Sequence, residues 1–443
     1  MNPFGRSLVI GLVLAGVWGA APARAEELVP HAEAARRPPR PPRPAGYPVL
    51  PGIWKLHGTD PALPQDDLEP LRKVIGTAPI VGLGESIHTS GGYYRMKHRV
   101  FRFLVEKMGF RAFAFETPWV AADRVAAYVQ TCEGTPEEAL QGVFGVWRSE
   151  EVRDLVQWMC EWNRTHKKPK DRLYFYGFDI QAESRHHAPA LLAFLSRVGV
   201  GADDPRVSAL LGQCDGLEQT IYPRLIPDDR HQRCIGALQA IDRFLTENEQ
   251  ALVRQTSKAD LAWARVRLVA LRAWEDEAYY NNRDLLRLHA ARDGGMAYTL
   301  MAIRSLRFPK AKTAVWAHNF HLARTVRTAD GPMSMGTYLD QALGSSYVNL
   351  ALAASEVSID WPSVGCGPVP PPGLSSMERM LDSLDGDYLL VDLRFPGGDP
   401  PFLDPEHLYS LGGDLMIPRQ QFNGILYLNR SPKMTPLTWP SCQ

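Results

Sequence analysis

Histidines and acidic residues recur directly after short apolar runs in this sequence. Glu85 and His88 follow the run APIVGL, Glu116 follows FRAFAF, and His318 and His321 follow TAVWA. Histidine titrates near neutral pH and can accept a proton from water, while a nearby carboxylate fixes its tautomer and stabilises the imidazolium. These residue types therefore suit the attack of an activated water molecule on an ester or a related bond.

The spacing of these residues supports the same chemistry. Glu85 and His88 are three residues apart, and so are His318 and His321. Residues at this spacing can face the same way on one turn of the chain. The second pair would bring a further histidine, which can polarise a carbonyl group or donate a proton to a leaving group.

A fourth apolar run, LYFYGF, is followed by Asp179 and Gln181. A single carboxylate after a strand is more often a helix cap, and a single histidine is as often a buried structural group. In an open parallel sheet, however, ligands bind outside the carboxyl ends of the strands. Four strand ends that all carry acids or histidines favour a functional site at that edge.

A covalent serine mechanism is the competing interpretation. The nucleophile elbow of serine hydrolases reads G-x-S-x-G. Here Gly84 and Ser86 match that pattern, but His88 occupies the position of the last glycine. The tight turn of the elbow disfavours histidine there, so the pattern favours activated water over Ser86 as the nucleophile.

The elements that must position these residues alternate between strands and helices. Continuous apolar runs are typical of buried parallel strands, and amphipathic stretches predict helices between them. This alternation predicts an α/β fold, with a mostly parallel sheet and helices on both faces. The predicted strands are 78–83, 110–115, 173–178, 313–317, 347–351, 388–393 and 424–428, and the clearest helices are 67–75, 93–108 and 150–162.

Residues 186–290 break the alternation, because the stretch from Cys234 to His289 is helical in pattern throughout. We interpret this region as a helical insertion over the active edge of the sheet; ordinary crossover helices are an equally good alternative. The predicted organisation is a signal peptide (1–25), a proline-rich linker (26–52), a first core part (53–185), the helical insertion (186–290) and a second core part (291–443).

The N-terminus has the features of an export signal. Arg6 precedes an apolar run from Ser7 to Ala21, and Ala23 and Ala25 form an A-x-A cleavage site. The run is too short for a comfortable membrane span, which needs about 20 residues, although an uncleaved anchor is the alternative. We therefore expect a periplasmic or secreted protein without stable membrane insertion.

Composition narrows the partners and the redox environment. Removal of the signal leaves 47 basic and 49 acidic side chains, and no basic cluster of the kind that captures nucleic acid. Six cysteines in an exported chain suggest disulfides. We predict the pairs Cys132–Cys160 and Cys214–Cys234, because each closes a short local loop. No C-x-x-C pair is present, which disfavours metal binding by cysteine.

The motifs together resemble one known family. GLGESIH, a Lys-His pair on the next helix, GFRAFAFE, FYGFDIQ, ARDGGMA and WAHNFH occur in that order. In this combination the chain resembles the erythromycin esterase family over roughly residues 75–430. The resemblance implies an α/β core, a helical portion over the site, and hydrolysis of a macrolide lactone by activated water, an activity that confers antibiotic resistance.

The resemblance also implies roles for individual residues. His88 is similar to the general base, Glu85 and Glu116 to the acidic site residues, and His318 and His321 to the second histidine pair. Residues expected to contact substrate are Lys97, Asp179, Gln181, Asn319 and Arg292. Lys97 stands where some members carry arginine, a change that keeps the charge but loses the bidentate fork.

Two other function classes remain open at this point. A set of His and Glu side chains can hold Zn²⁺ for metal-dependent hydrolysis or peptidase chemistry, although the zinc helix H-E-x-x-H is absent. A non-catalytic periplasmic ligand-binding protein is the second alternative, by analogy of fold alone. We expect a monomer that acts on a small-molecule ester without a metal or other cofactor.

Overall fold

The computed structural model of the protein describes most of the chain from residue 50 onward. The described residues are 50–181, 184–214, 225–324, 334–362, 364–373, 376–384, 386–394, 409–411 and 414–437. The predicted signal peptide and nearly all of the predicted linker lie outside them. Among the described residues, no helix combines the length and apolarity that a bilayer span requires.

Nine strands form the main sheet, in the order β1-β8-β11-β6-β2-β5-β3-β4 with β7 paired to β6. A separate ribbon pairs β9 with β10. The strands are β1 Ile53–Lys55, β2 Ile80–Leu83, β3 Phe110–Pro118, β4 Tyr174–Asp179, β5 Lys312–Trp316, β6 Tyr347–Trp361, β7 Gly365–Pro368, β8 Tyr388–Asp392, β9 Tyr409–Leu411, β10 Asp414–Met416 and β11 Gly424–Ser431.

Helices connect most of these strands. They are α1 Leu71–Ile75, α2 Gly91–Met108, α3 Trp119–Thr131, α4 Pro136–Leu140, α5 Glu150–Thr165, α6 Ser184–Arg197, α7 Pro205–Gln213, α8 Asp228–Glu247, α9 Glu249–Gln255, α10 Lys258–Tyr280, α11 Leu285–Arg307, α12 Asn319–Leu322, α13 Met335–Leu343, α14 Met377–Asp382 and α15 Pro418–Gln421.

Two hydrophobic cores lie on opposite faces of the sheet. Along β3, Phe113 and Phe115 belong to one core, whereas Ala112 and Ala114 belong to the other, because successive side chains of a strand point to opposite faces. Helices α2, α3 and α5 cover the first face, and α11 and α13 help to cover the second. The predicted α/β class with a mostly parallel sheet is thereby confirmed.

The edge beyond β6 departs from the parallel pattern. β8 pairs antiparallel with both β11 and β1, and β7 pairs antiparallel with the end of β6. The sequence did not predict β1, β7, β9 or β10, since runs of three or four residues carry too little pattern.

The predicted helix 67–75 was too long. Asp66–Leu68 forms a single 3₁₀ turn, and α1 begins at Leu71. Pro70 stands at the start of α1 and cannot continue a helical hydrogen-bond pattern from the preceding turn, because proline lacks a backbone N–H.

Helices α6 to α10 pack around a core of their own. Leu191, Leu210, Leu238 and Leu268 are buried in it, each on a different helix. α10 then packs along α11, which carries Arg292. This helical region therefore adjoins the edge of the sheet through α10 and α11.

Both predicted disulfides are present. Cys132–Cys160 joins α5 to the residue that ends α3, and Cys214–Cys234 joins α8 to the residue that ends α7. Each bridge crosses a short stretch of sequence, as the local pairing predicted.

Candidate functional site

Four neighbouring strands deliver the predicted residues to one edge of the sheet. β2, β5, β3 and β4 lie side by side and run parallel, so their carboxyl ends meet at the same edge. Glu85 follows β2, Glu116 lies near the end of β3, Asp179 ends β4, and His318 follows β5. The structure therefore brings together side chains that are far apart in sequence.

The Glu85 carboxylate contacts two basic side chains. Its Oε1 lies 2.6 Å from Nδ1 of His88, and its Oε2 accepts a hydrogen bond of 2.7 Å from Nζ of Lys97. Lys97 is fully buried on α2, with Nζ 4.2 Å from the ring centre of Trp316. Burial lowers the pKa of Lys97 to about 8, against the opposing effect of Glu85.

The imidazole of His88 is more accessible than that of His321. The His88 side chain is 19% exposed, and its ring packs against Trp147, His318 and Trp361 at centroid distances of 4.8, 5.5 and 5.7 Å. Because Nδ1 faces Glu85, the ring is held as the tautomer with its lone pair on Nε2. Within the described part of the chain, Nε2 has no hydrogen-bond partner. We call Glu85 and His88 the open dyad.

The loop of the open dyad is held in a strained conformation at Thr89. This buried β-branched residue has a φ of 64°, which such side chains rarely adopt. Its amide donates to the hydroxyl of Tyr94, and its Oγ1 accepts from the amide of Asp360. Strain that the surroundings enforce in this way is typical of functional loops.

His318 has both ring nitrogens engaged by the backbone. Nε2 donates to the carbonyl of Ser86 at 2.8 Å, and Nδ1 accepts from the amide of Phe320 at 3.2 Å. Burial lowers the pKa of His318 to about 3. The ring is therefore neutral, and it ties the end of β5 to the open dyad's loop without a free nitrogen for proton transfer.

His321 lies between two carboxylates. Its Nδ1 is 2.9 Å from Oδ1 of Asp293, and its Nε2 is 3.3 Å from Oε1 of Glu116. Burial alone would lower its pKa, but these two carboxylates raise the pKa of His321 to about 10. At neutral pH the ring is an imidazolium, in contrast to that of His318.

Arg292 completes a network of buried charges. Its Nη2 donates to Asp179 at 2.6 Å and to Glu116 at 3.1 Å. Its Nη1 lies 3.2 Å from Nε2 of His321; arginine only donates, so this contact is a hydrogen bond only when that nitrogen is deprotonated. Despite its burial, Glu116 has a pKa well below the usual range because of His321, His88 and Arg292. We call Glu116, Asp179, Arg292, Asp293 and His321 the buried ion cluster.

Two acids of the site were missed in the sequence. Asp293 directly follows Arg292, and besides His321 it accepts a hydrogen bond from the amide of Met335 at 2.7 Å. Glu277 on α10 accepts a hydrogen bond of 2.5 Å from the amide group of Gln181. Burial raises the pKa of Glu277 to about 8. Glu277 lies within the predicted helical stretch 234–289 and Asp293 lies beyond it, and helix periodicity alone marks neither acid as buried.

The side chain of Asn319 is hydrogen-bonded to the backbone of β6. Its Nδ2 donates to the carbonyl of Leu352, and its Oδ1 accepts from the amide of the same residue. A Cβ on Gly84 would lie 2.0 Å from Oδ1 of Asn319, which explains the need for glycine directly after β2. A substrate contact by Asn319 stays a prediction, as do those of Lys97, Asp179, Gln181 and Arg292.

Ser86 is not activated by a histidine. Its Oγ is 2.8 Å from the hydroxyl of Tyr93, and its carbonyl, not its hydroxyl, faces His318. The described residues at this edge thus offer a histidine–carboxylate pair with an open nitrogen, a fixed positive charge on Arg292, and a Ser86 hydroxyl that no described histidine contacts.

The chain is similar to known proteins over most of its length. A family model described as erythromycin esterase matches residues 105–428. The protein YbfO of Bacillus subtilis (strain 168) is 26% identical over 396 residues, which are 82% of this chain and 86% of that protein. Erythromycin esterase type II of Escherichia coli is 26% identical over 322 residues, 65% of this chain and 72% of that protein.

A solved structure shows the same fold. The mutant erythromycin esterase EreC in its open conformation matches with a TM-score of 0.67 and 18% identity, over 86% of this chain and 98% of that chain. At this level of identity the likeness speaks for the fold alone.

Proposed function

Because the chain belongs to the erythromycin esterase family, a family of hydrolases, we propose that it hydrolyses an ester or macrolide lactone with water activated by His88. The observation that carries this proposal is the open dyad: Nδ1 of His88 is held by Glu85 at 2.6 Å, while its Nε2 has no hydrogen-bond partner among the described residues. A histidine held in this way by a carboxylate is suited to act as a general base.

In the proposed reaction, Nε2 of His88 takes a proton from water as the water oxygen bonds to the ester carbonyl carbon. Glu85 stabilises the imidazolium that forms. The tetrahedral intermediate then collapses, the bond from carbon to the alcohol oxygen breaks, and His88 returns the proton to that oxygen. The products are a carboxylic acid and an alcohol, so that one water is consumed.

Arg292 is the proposed stabiliser of the oxyanion. Its side chain is 14% exposed although it is anchored to Asp179 and Glu116. A fixed donor with a permanent charge stabilises the negative charge that develops on the carbonyl oxygen. In this proposal Glu116 and His321 position Arg292, and His318 positions the loop of the open dyad.

The contacts of the histidines favour proton transfer over metal ligation. In the open dyad the Nδ1 that faces Glu85 is a donor, and in His321 both nitrogens face carboxylates. A metal ion needs several electron-pair donors, and both nitrogens of His318 are engaged by the backbone. By the contacts of the described residues, Nε2 of His88 is thus the one ring nitrogen of these three histidines that is open to a metal, where zinc sites of hydrolases take three protein ligands. Metal-dependent hydrolysis and ligand binding without turnover remain the outcomes that the test must separate from the proposal.

The test is turnover by the purified mature protein. Intact macrolides and simple esters are incubated with the protein, and products that have gained one water are sought by mass. We expect such a product, formed at the same rate after dialysis against a chelator. Activity lost to the chelator and restored by one metal would contradict the proposed mechanism, and tight binding without turnover would indicate a binding protein.

A second arm of the test concerns the nucleophile. The proposal predicts that no acyl-protein accumulates on Ser86 when a fast ester is mixed with the protein and quenched. A mass increase at Ser86 that matches the acyl group would instead indicate the covalent route.

We also propose that the protein is exported and acts as a monomer in the periplasm or outside the cell. Support comes from the apolar N-terminal run with its cleavage site and from two disulfides, which persist in oxidising compartments. The expected form begins at Glu26, which mass spectrometry of the exported protein would establish.

A further inference from the structure

A cavity lies beside the loop of the open dyad. It has a volume of about 230 Å³, and four segments contribute to it: the loop itself, β6, the proline-rich stretch after β7, and α14. The lining residues are Ser86, Ile87, Ala354, Ser355, Val357, Val369, Pro370, Pro371, Pro372, Gly373 and Glu378. Ligand pockets for drug-sized molecules measure roughly 300–1,000 Å³, so this cavity suits one substituent of a substrate and not the whole molecule.

The floor of the cavity is polar and buried, whereas its rim is apolar and exposed. Glu378, Ser355 and Ser86 are 1%, 4% and 8% exposed, while Pro370 and Pro371 are exposed at the rim. A guest enters past the prolines and meets a carboxylate and two hydroxyl groups. The floor therefore favours a guest that donates hydrogen bonds.

The two hydroxyl groups are fixed by buried tyrosines. Oγ of Ser86 lies 2.8 Å from the hydroxyl of Tyr93, and Oγ of Ser355 lies 2.8 Å from the hydroxyl of Tyr427. Ser355 is also 3.2 Å from the carbonyl of Glu378. A polar surface that is fixed in advance binds a ligand without the entropic cost of ordering it.

The cavity and the open dyad share one segment of chain. Ser86 and Ile87 stand between Glu85 and His88 in sequence, and both residues line the cavity, while the side chains of Glu85 and His88 form the dyad. A guest in the cavity is therefore adjacent to the catalytic loop. This proximity suits a substrate subsite better than an unrelated binding site.

We propose that this cavity binds a protonated amine on a compact aliphatic part of the ester substrate, with Glu378 as the counter-charge. A buried carboxylate at the base of a small cavity favours a cationic guest over a neutral one of equal shape. The choice of an amine-bearing ester rests on the proposed function, but binding of the amine itself does not.

Binding of two matched probes tests the subsite without any turnover. Cyclohexylamine and cyclohexanol have similar shapes and differ in charge at neutral pH. By calorimetric titration we expect the wild-type protein to bind the amine at least tenfold more tightly, and Glu378→Gln to weaken amine binding roughly tenfold, as loss of a charged hydrogen bond does. Equal affinity for both probes, or an unaltered affinity in Glu378→Gln, would overturn the inference.

Two further variants separate charge from shape. Val369 is a half-buried residue of the cavity wall. Val369→Phe fills the cavity and should weaken the binding of both probes. Glu356→Gln is the matched control, because Glu356 directly follows Ser355 but pairs with the exposed Arg430 outside the cavity. Its affinity for the amine should equal that of the wild-type protein, and a tenfold loss there would also overturn the inference.

Turnover separates this inference from the proposed function. We expect the wild-type protein to favour a tertiary-amine ester over its isosteric hydrocarbon ester in kcat/KM, and Glu378→Gln to reduce that ratio about tenfold. Hydrolysis of both esters at one rate, with no amine binding, leaves the hydrolase and refutes the subsite. Amine binding that depends on Glu378, without hydrolysis of either ester, would support the subsite and contradict the proposed hydrolase function.

Discussion

The open dyad and the buried ion cluster contain the same kinds of side chain in opposite states. In the dyad, His88 has one carboxylate partner, a ring that is 19% exposed, and an open Nε2. In the cluster, His321 lies between Asp293 and Glu116 and is almost fully buried. Each histidine follows the carboxyl end of a neighbouring strand, so position in the fold does not account for the difference.

The number of carboxylates around each ring accounts for it. A ring with one carboxylate retains a nitrogen for exchange of a proton with water, whereas a ring between two carboxylates holds its proton to about pH 10. The first arrangement suits a general base, and the second suits a fixed charge that orders its neighbours.

The largest effect should come from His88→Gln. Glutamine keeps the approximate size of the side chain but cannot take a proton from water, so we expect kcat/KM to fall by about 10³. The free energy of unfolding should fall by about 1 kcal/mol, because the carboxamide can still donate a hydrogen bond to the buried Glu85 but the packing of the ring against Trp147 is lost. Hydrolysis rates and urea unfolding of the same preparations would measure both quantities.

The matched control for that variant is His166→Gln. This histidine stacks on Trp162 at the end of α5, away from the dyad, and its loss should leave kcat/KM unaltered. If His88→Gln retained more than a tenth of wild-type activity, His88 would not be the base.

The next largest effect is a loss of stability when a carboxylate of the buried ion cluster is neutralised. Asp293→Asn leaves His321 with a buried positive charge and one partner fewer, at a cost of about 3 kcal/mol in the free energy of unfolding. The carboxamide oxygen can still accept from the Met335 amide, so the loss reports on the charge. Asp340→Asn is the control, because Asp340 is exposed in its pair with Arg324 and should cost below about 1 kcal/mol.

The same variant has a pH signature with a definite sign. His321 carries a pKa raised from 6.5 to about 10 in the folded protein, so its stabilising effect is complete below pH 6.5 and is lost as the pH rises through 10. The difference between wild type and Asp293→Asn should therefore be largest near pH 6 and shrink toward pH 10. A constant difference would contradict the charged state of His321.

A smaller effect distinguishes Glu277, which adjoins the cluster without an ion-pair partner among the described side chains. Burial raises its pKa from 4.5 to about 8, so the folded protein loses stability as the pH rises from 4.5 to 8, while the unfolded chain ionises freely. Glu277→Gln removes this loss and should gain about 2–3 kcal/mol over wild type at pH 8 relative to pH 5.

Chemical unfolding at the two pH values provides the measurement. Glu249→Gln serves as the control, because Glu249 is half-exposed in its pair with Arg265 and its variant should parallel the wild-type curve. If the stability of Glu277→Gln changes between the two pH values by the same amount as that of the wild type, the buried carboxyl group is not neutral at pH 7.

Sequence alone predicted that the histidines of the open dyad and the buried ion cluster lie at the carboxyl ends of parallel strands. It did not predict the charge state of these histidines. The apolar runs before Glu85, Glu116, Asp179 and His318 predicted buried parallel strands, and the carboxyl ends of such strands meet at one edge. Whether a histidine there is open or enclosed depends on side chains from other elements. Asp293 on α11 decides it for His321, and helix periodicity does not distinguish a buried acid from a solvent-facing one.

The antiparallel edge was unpredictable for a different reason. β7 is a strand only because it pairs with the end of β6, and its residues GCGP have no strand pattern of their own. The cavity between β6 and the prolines after β7 depends on that pairing, so the sequence did not predict it either.

The smallest effect should come from Lys97→Arg, which tests what the open dyad requires of its buried cation. Glu85 needs a positive charge at its second oxygen so that the first can orient His88, and arginine would keep that charge. The larger guanidinium must fit where Nζ lies 4.2 Å from the Trp316 ring, which should cost about 1 kcal/mol of stability and reduce kcat/KM by less than about fivefold. Lys97→Met removes the charge and leaves Glu85 buried with one partner fewer. This variant should lower the free energy of unfolding by about 3 kcal/mol or more. Comparable losses in both variants would mean that the shape of Lys97, and not its charge, keeps the dyad in place.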